Sequence, residues 1–371
     1  MKTYLYIIIV NTIIIILALI LVFIDYKTNI FNKIKLFNSE ILFSLIAPAS
    51  KPNKKFKYIS DKIYKYKVNI EDSIKISTSD KIIFNEIDVY SYKDIKNELD
   101  EKYFFNMTDG YTKPIIIKNV FSDEDLQYYN YEMIIQNHGD ISIEAINNDK
   151  HTSTNTSGTI MTFEEYINSI RRGEKLYLTV NNSIANILNI DTLMVFYNNL
   201  FKTHGFKNIF IGNKESYTHL HCEIAASCGI QLNGNKKWYL INPDYSEHLH
   251  SVSDKNNIFK TSAYGFNKNY DKFVTIPHYE FIVEKGDFLY VPPWWWHETL
   301  NITDETIMFS YRPSLFEAPY KTNLSYTLQG LKNSIGFNNL AYPILTKLKL
   351  FDPNEDTVIK SIAELKNRIP Y

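Results

Sequence analysis

Residues 218–223 carry the sequence THLHCE, and the fold can be predicted from this stretch outward. Side chains alternate between the two faces of a β-strand, so His219, His221 and Glu223 are expected on one face. His221 and Glu223 are then adjacent potential metal ligands. The same spacing also suits a histidine that is merely hydrogen-bonded beside a carboxylate, so a third ligand is needed to decide.

The third ligand is expected from residues 286–297, which carry the sequence GDFLYVPPWWWH. The Gly-Asp pair predicts a turn into an apolar strand, and the Pro-Pro pair ends that strand shortly before His297. Two histidines and one carboxylate leave three coordination positions open, as in non-haem iron(II) oxygenases. His221, Glu223 and His297 are therefore predicted to hold a metal ion.

The surrounding sequence predicts a mainly β domain with helices before and after it. Short strands separated by Gly, Asn, Asp and Pro follow Ile209 and favour a sandwich or barrel. Earlier strands are expected within 114–120 and 175–180. A helix is expected over 162–172, because Thr162 followed by two glutamates is typical of a helix start.

The order of residues from about 84 to 313 resembles that of JmjC-type and cupin-like 2-oxoglutarate oxygenases, including the protein asparaginyl hydroxylases. The most specific match is the spacing of Gln231, Gly234, Lys236 and Trp238 after the metal strand. Further matching segments are residues 113–120, 161–167, 176–178 and 208–212.

This resemblance implies a double-stranded β-helix, the jelly-roll barrel of cupin and JmjC domains, with the metal inside its mouth. It implies Fe(II) as the metal and 2-oxoglutarate as the cosubstrate. By the same resemblance Lys236 pairs with the distal carboxylate of 2-oxoglutarate, assisted by the hydroxyls of Thr218 and Tyr177. A dicarboxylate partner would offset the cost of burying an ammonium group. No catalytic side chain is expected beyond the metal ligands.

Four positions depart from the family's pattern. Glu223 stands where many relatives have aspartate, although some JmjC demethylases have glutamate. His219 replaces a usual proline and could contact substrate, compete as a ligand or pack; packing or support of a ligand is favoured. Ser227 and Ser310 stand where relatives often carry asparagine near the cosubstrate, which leaves the binding mode of 2-oxoglutarate open.

Other aromatic and histidine side chains are expected to be structural. Trp294, Trp295 and Trp296 are predicted to pack in the barrel rather than take part in catalysis. His248, His250 and His278 are expected in loop or edge regions, either solvated or structural.

Residues 3–24 contain no charged side chain and are mostly Ile, Leu and Val, so a transmembrane helix is predicted there. A cleaved signal peptide is the alternative, but the apolar run is long and no small-x-small cleavage site follows. The lysines just after the span favour a cytoplasmic body.

Four segments are predicted along the chain. They are a membrane anchor at 1–27, a juxtamembrane segment and linker at 28–57, the oxygenase domain at 58–313 with its metal-binding barrel from about 205, and a helical extension at 314–371. The extension is predicted from apolar residues at helical spacing, namely Leu324, Leu328, Leu331, Ile359, Ile362 and Leu365. It could support a homodimer or only cap the barrel.

The amino-acid composition excludes few classes of function. The 371 residues carry a net charge of −1, which indicates no general attraction to nucleic acid, and no nucleic-acid-binding motif is present. Only two cysteines occur, too few for a disulfide framework, which favours a reducing setting. Asn-X-Ser/Thr sequons leave glycosylation open.

The predicted function is a membrane-anchored Fe(II)- and 2-oxoglutarate-dependent dioxygenase that hydroxylates a protein side chain, with demethylation as another reaction of the family. A catalytically inactive scaffold at the membrane is the main alternative. Ser227 and Ser310 favour that alternative, whereas the three ligands and Lys236 oppose it. A cupin that uses another metal for isomerase or hydrolase chemistry fits Lys236 and Tyr177 less well.

Overall fold

The structure is a computed structural model, and it describes residues 35–39, 54–74, 76, 83–84, 86–147, 158–179, 184–185, 188, 190–253, 258–267 and 269–334. The chain divides into two compact units. The barrel unit consists of residues 81–243 and 264–322, and the terminal unit consists of residues 1–80, 244–263 and 323–371.

The helices are short except for the first. They are α1 Lys54–Ser73, α2 Tyr92–Ile95, α3 Glu101–Met107, α4 Asp123–Leu126, α5 Tyr131–His138, α6 Phe163–Arg171, α7 Asp191–Leu200, α8 Tyr270–Phe273, α9 Ala318–Thr322 and α10 Leu324–Ser334. The strands are β1 Ile83–Phe84, β2 Asp88–Ser91, β3 Ile115–Lys118, β4 Ser142–Asn147, β5 Thr159–Thr162, β6 Leu176–Tyr177, β7 Gly205–Gly212, β8 Tyr217–Glu223, β9 Ser227–Asn233, β10 Lys236–Ile241, β11 Val252–Ser253, β12 Phe259–Thr261, β13 His278–Val283, β14 Phe288–Val291, β15 Trp296–Asn301 and β16 Thr306–Pro313.

Two sheets form the core of the barrel unit. One has the order β1-β13-β10-β15-β8, and the other has the order β2-β3-β14-β9-β16-β7. Strands β7 to β10 alternate between the two sheets, and strands β13 to β16 do the same. This interleaving is that of a double-stranded β-helix, so the predicted jelly-roll fold is confirmed.

Alternation along the strands divides the apolar side chains between two cores. On β16, Ile307, Phe309 and Tyr311 belong to an outer core shared with helices α3, α6 and α7. Met308 belongs to an inner core that also holds Trp238 of the opposite sheet. Each large apolar side chain buried in this way contributes about 1.5–3 kcal/mol. The two cores fix which side chains of β16 point into the barrel.

The tryptophan cluster is part of this packing. Trp294 and Trp296 have no exposed surface and Trp295 is 6% exposed. Trp295 lies in the inner core and donates its indole N–H to the carbonyl oxygen of Thr112 at 3.0 Å. The prediction that these residues pack is confirmed.

Helix α6 begins where the sequence indicates. The Thr162 hydroxyl accepts from the Glu165 amide at 3.2 Å, and the Glu165 carboxylate accepts from the Thr162 amide at 2.8 Å. This reciprocal pair satisfies two amide groups that a helix N-terminus otherwise leaves without partners. The predicted span 162–172 agrees with the observed helix to within one residue at each end.

Buried polar contacts hold the terminal unit together. The Lys67 ammonium on α1 donates to the Glu71 carboxylate at 2.8 Å and to the carbonyl oxygen of Ser251. Lys260 on β12 donates to the Gln329 side chain of α10 at 2.7 Å. Lysines without exposed surface are costly unless such acceptors surround them, so these contacts fix how the hairpin and the two helices pack.

Several predictions fall at the edge of the described residues. Helix α1 begins at Lys54, three residues before the expected end of the linker at residue 57. Helix α10 spans Leu324–Ser334 within the extension predicted to be helical, and residues 335–371 lie outside the described residues. No helix in the described ranges is both long and apolar enough to cross a bilayer. The predicted anchor at 3–24 lies outside those ranges.

Gly234 closes the β9–β10 turn in a conformation that a side chain would oppose. Its φ is +67°, and an added Cβ would lie 2.1 Å from the carbonyl oxygen of Glu305. We expect Gly234→Ala to lower the free energy of unfolding by about 3 kcal/mol, from left-handed strain and steric overlap together. Gly173→Ala is the control, because Gly173 also has positive φ but no atom within 4 Å of the added Cβ; about 1 kcal/mol is expected there. Denaturant titrations measure both variants, and an equal loss in the free energy of unfolding for Gly234→Ala and Gly173→Ala would contradict this explanation.

Candidate metal centre

Strands β8 and β15 pair in a register that places His221 directly opposite His297. Their ring centroids are 4.2 Å apart. One potential ligand atom from each of His221, Glu223 and His297 lies within 4.8 Å of the other two, and all three residues are buried. The structure thus brings the three predicted ligands together at one point inside the barrel.

Backbone carbonyl groups set the orientation of both imidazoles. His221 Nδ1 lies 2.6 Å from the carbonyl oxygen of His219, and His297 Nδ1 lies 2.9 Å from that of Trp295. A carbonyl oxygen only accepts, so each Nδ1 donates and each Nε2 carries the lone pair that a metal requires. Burial lowers the pKa of both histidines, that of His297 to about 4. Both rings are therefore neutral at neutral pH, which is the metal-binding form.

The carboxylate of Glu223 has two oxygen atoms in different environments. Oε2 accepts from Arg312 Nη1 at 2.6 Å. Oε1 is buried and has no hydrogen-bond partner within the described part of the chain. Burial raises the pKa of Glu223, and the charge of Arg312 opposes that rise. A buried carboxylate oxygen without a donor is costly, and a cation shared with the two imidazoles would compensate it.

This donor set fits a divalent metal ion such as Fe(II). Two imidazole nitrogens and one carboxylate oxygen supply three ligands, and a metal of higher coordination number would keep other positions for small molecules. Ordinary core packing explains the arrangement less well, because it would leave Glu223 Oε1 without a donor.

A bulge in β8 brings Thr218 to the same face as His221. His297 pairs with His221, but Thr299 pairs with Thr218, so between these pairs one residue of β15 lies opposite two of β8. Strict alternation, as assumed for residues 218–223, would place Thr218 and His221 on opposite faces. The bulge corrects that assumption because His297 and Thr299 share a face. His219 contributes its carbonyl group, and its ring packs edge-on against Tyr217 at 4.8 Å.

Lys236, Tyr177 and Thr218 also come together. The Lys236 ammonium donates to the Tyr177 hydroxyl at 3.3 Å, and this hydroxyl is hydrogen-bonded to the side chain of Thr218. Lys236 is 2% exposed and lies over the ring of Phe210 at 5.4 Å. Burial lowers its pKa to about 7, and no carboxylate contributes to that shift. An ammonium in such surroundings suits an anionic ligand.

The register relates this lysine to the metal ligands. Lys236 lies opposite Asn301, and Leu240 of the same strand lies opposite His297. Four residues of a strand span about 13 Å. A lysine side chain and a short dicarboxylate can bridge that distance together.

If Lys236 pairs with a carboxylate of 2-oxoglutarate, as the family resemblance implies, its lowered pKa would make that binding depend on pH. Its charged form attracts a dicarboxylate and is lost as the pH rises through about 7. At saturating metal, we expect the affinity for 2-oxoglutarate to fall by up to about tenfold per pH unit above that value. Isothermal titration at several pH values measures this, and Lys236→Met should remove the dependence. An affinity that stays constant across the same range would contradict the assigned role.

The remaining motif residues support the barrel. The Gln231 side chain donates to the carbonyl oxygens of Asn233 at 2.7 Å and Ile307 at 3.2 Å, which ties β9 to β16. The Trp238 ring lies nearly parallel to the His297 ring, with centroids 6.0 Å apart.

Ser227 and Ser310 face each other inside the barrel. Their hydroxyl oxygens are 3.4 Å apart. Both residues are buried. The two hydroxyl groups can therefore form a hydrogen bond with each other when no ligand is bound.

Two of the other histidines are structural rather than solvated. His278 is 1% exposed and its Nδ1 lies 2.7 Å from the carbonyl oxygen of Ile276. His250 is 3% exposed, and its Nε2 lies 3.0 Å from the Asp72 carboxylate. The solvated alternative is wrong for both. His248 is partly exposed in a short 3₁₀ helix.

Arg312 was not recognised as a site residue from the sequence. A signal was available, because Arg312 follows Ser310 by two positions on a strand and therefore shares its face. A charged residue on the inner face of a barrel strand requires a charged partner. That partner is the carboxylate of Glu223.

A family model matches the larger part of the chain, and individual proteins match shorter segments of it. The family model described as "Cupin-like domain" matches residues 52–312. A segment of 82 residues is 31% identical to tRNA wybutosine-synthesizing protein 5 of Danio rerio and covers 22% of this chain and 25% of that protein. A segment of 101 residues is 26% identical to arginine-specific demethylase JMJ20 of Arabidopsis thaliana and covers 27% and 22%, respectively. The chain thus matches about a quarter of the length of these relatives.

Proposed function

The chain belongs to the cupin-like domain family, and on this premise we propose that it is an Fe(II)- and 2-oxoglutarate-dependent oxygenase. The observation that carries the proposal is the convergence of ligand atoms from His221, Glu223 and His297, together with a buried Glu223 oxygen that has no donor within the described residues. Lys236 supports it independently, since a buried ammonium suits the distal carboxylate of the cosubstrate.

Each group has a defined task in this proposal. Fe(II), when bound, would supply the activation of O₂ that couples oxidation of 2-oxoglutarate to oxidation of a C–H bond. His221, Glu223 and His297 hold the metal. Lys236, with the Tyr177 and Thr218 hydroxyls, orients the cosubstrate. The buried walls of the barrel, including Trp238, exclude water from the reacting groups.

A protein side chain is the proposed substrate. The names of the two relatives point to tRNA in one case and to arginine in the other. The near-zero net charge of this chain favours a protein over a nucleic acid, which an excess of basic residues would attract.

Succinate formation tests the substrate class. The full-length protein with Fe(II), 2-oxoglutarate and O₂ is incubated with a peptide library or with total tRNA. We expect peptides to stimulate succinate release and one peptide to gain one oxygen atom by mass spectrometry. Stimulation by tRNA alone would contradict a protein substrate, and formaldehyde release would indicate demethylation.

The proposed location is a membrane, with residues 3–24 as a single span and the catalytic unit on the cytoplasmic side. The uncharged apolar run and the lysines that follow it support this. Protease protection of membrane vesicles tests the orientation. A homodimer through the C-terminal helices is proposed as well, and light scattering in detergent measures it.

A catalytically inactive binding or scaffold protein is the second candidate. The mutual contact of Ser227 and Ser310 favours it, because relatives often place asparagine there. This candidate predicts no succinate formation with any substrate and no 2-oxoglutarate binding.

A further inference from the structure

Arg312 lies where it can control how Glu223 binds a metal. It is at the end of β16, and the side chains of Ile307, Phe309 and Tyr311 on that strand belong to the outer core. Alternation therefore directs Arg312 inward. Its side chain is 17% exposed and forms an ion pair with the carboxylate of Glu223.

The contact engages one carboxylate oxygen only. Arg312 Nη1 is 2.6 Å from Oε2 of Glu223, the length of a strong charge-assisted hydrogen bond. Oε1 is the buried oxygen for which the described residues provide no donor. Among the described residues, Arg312 thus engages Oε2 and leaves Oε1 available to another partner.

We propose that Arg312 is a positioning residue that holds Oε2 of Glu223 away from the metal, so that Oε1 alone is a ligand. A glutamate side chain has one more rotatable bond than aspartate and can otherwise bind a metal through both oxygens. One-oxygen binding keeps the remaining coordination positions available to the cosubstrate and O₂. This inference rests on the proposed function, because it requires the metal centre.

The charge of Arg312 has a second consequence. Its guanidinium offsets the charge of Glu223, so a divalent metal in the site keeps more of its positive charge toward the cosubstrate. A dianion such as 2-oxoglutarate is then favoured electrostatically. By this charge effect, loss of Arg312 should weaken cosubstrate binding.

Cobalt(II) titration of the full-length protein tests the inference, because the visible spectrum of cobalt(II) reports its coordination number. We expect Arg312→Met to weaken cobalt binding by about 10–100-fold, because the loss of a group that orients a ligand usually costs that much and outweighs the repulsion between the guanidinium and the metal. The visible absorption of cobalt(II) bound to Arg312→Met should also be less intense than in wild type, which indicates a higher coordination number of the metal. Arg312→Lys keeps a cation beside Glu223, so its cobalt affinity should decrease less than that of Arg312→Met. The control Arg171→Met removes a surface arginine paired with Glu132 and Glu305 and should bind cobalt normally.

A double-mutant cycle adds a readout that a purely structural role would not affect. Glu223→Asp shortens the side chain, so one carboxylate cannot reach both Arg312 and the metal. The cost of Glu223→Asp should therefore be smaller in the Arg312→Met background than in wild type. The inference would be overturned if the losses of cobalt affinity in the two single variants simply added in the double variant. It would also be overturned if Arg312→Met had the cobalt affinity and spectrum of wild type. Either result would leave the metal centre intact. A wild-type protein that binds no cobalt would overturn the inference together with the proposed function.

Discussion

Replacing His221 with alanine should abolish iron binding and every activity that depends on it. The substitution removes one of three ligand atoms that lie within 4.8 Å of one another. The loss of metal affinity should exceed the factor of about 10–100 that follows removal of a group that only orients a ligand. Anaerobic equilibrium dialysis with Fe(II) measures the affinity directly.

His278→Ala is the matched control for this prediction. His278 is also buried, and its Nδ1 also lies near the carbonyl oxygen two residues earlier, at 2.7 Å. It lies outside the ligand cluster, so its replacement should lower stability but leave the iron stoichiometry unchanged. Retention of iron by a folded His221→Ala protein would be incompatible with the proposed ligand set.

Replacing Lys236 with methionine should raise the dissociation constant of 2-oxoglutarate by about 100-fold. Removing one member of a desolvated charge pair usually costs about 2–5 kcal/mol, and 2.7 kcal/mol corresponds to a factor of about 100. The ligand-free protein should become more stable, since methionine fills a similar volume without the desolvation cost that lowers the pKa of Lys236. Titration calorimetry and thermal unfolding measure the two effects.

Lys237→Met controls for loss of a lysine in the same strand. Lys237 points to the other face of β10 and pairs with Glu280. Its replacement should change neither the affinity for 2-oxoglutarate nor its pH dependence. A weakening equal to that of Lys236→Met would show that the effect is one of general charge rather than of a specific subsite.

The fold was predictable because its signals are local and repeated. Short apolar strands with turn residues between them predicted the barrel, and Thr162 with its glutamates predicted helix α6. The order of residues around His221 and Lys236 identified which barrel it is. These signals depend on alternation, capping and turn chemistry, all of which act within a few residues.

The bulge in β8 was not predictable from alternation. A bulge adds one residue to one strand of a pair, and its position depends on the partner strand. Here it places Thr218 on the face of His221, as the pairing with Thr299 and His297 shows. The assignment of Thr218 to the cosubstrate subsite came from family resemblance, which already includes this long-range feature.

Arg312 was missed for a related reason. It is separated from Glu223 by 89 positions in the chain, and no short motif joins them. Only the register of β16 in its sheet places the guanidinium beside the metal ligand. The structure also groups residues 244–263 with the terminal unit, whereas the prediction gave 58–313 as one continuous domain.

The central claim is that one site binds Fe(II) and 2-oxoglutarate together. Anaerobic optical absorption of the full-length protein tests this claim most directly. A visible metal-to-ligand charge-transfer band should form only when both components are present, and it should be absent from the His221→Ala protein. A wild-type spectrum without this band at saturating Fe(II) and 2-oxoglutarate would contradict the proposed oxygenase and favour the inactive scaffold.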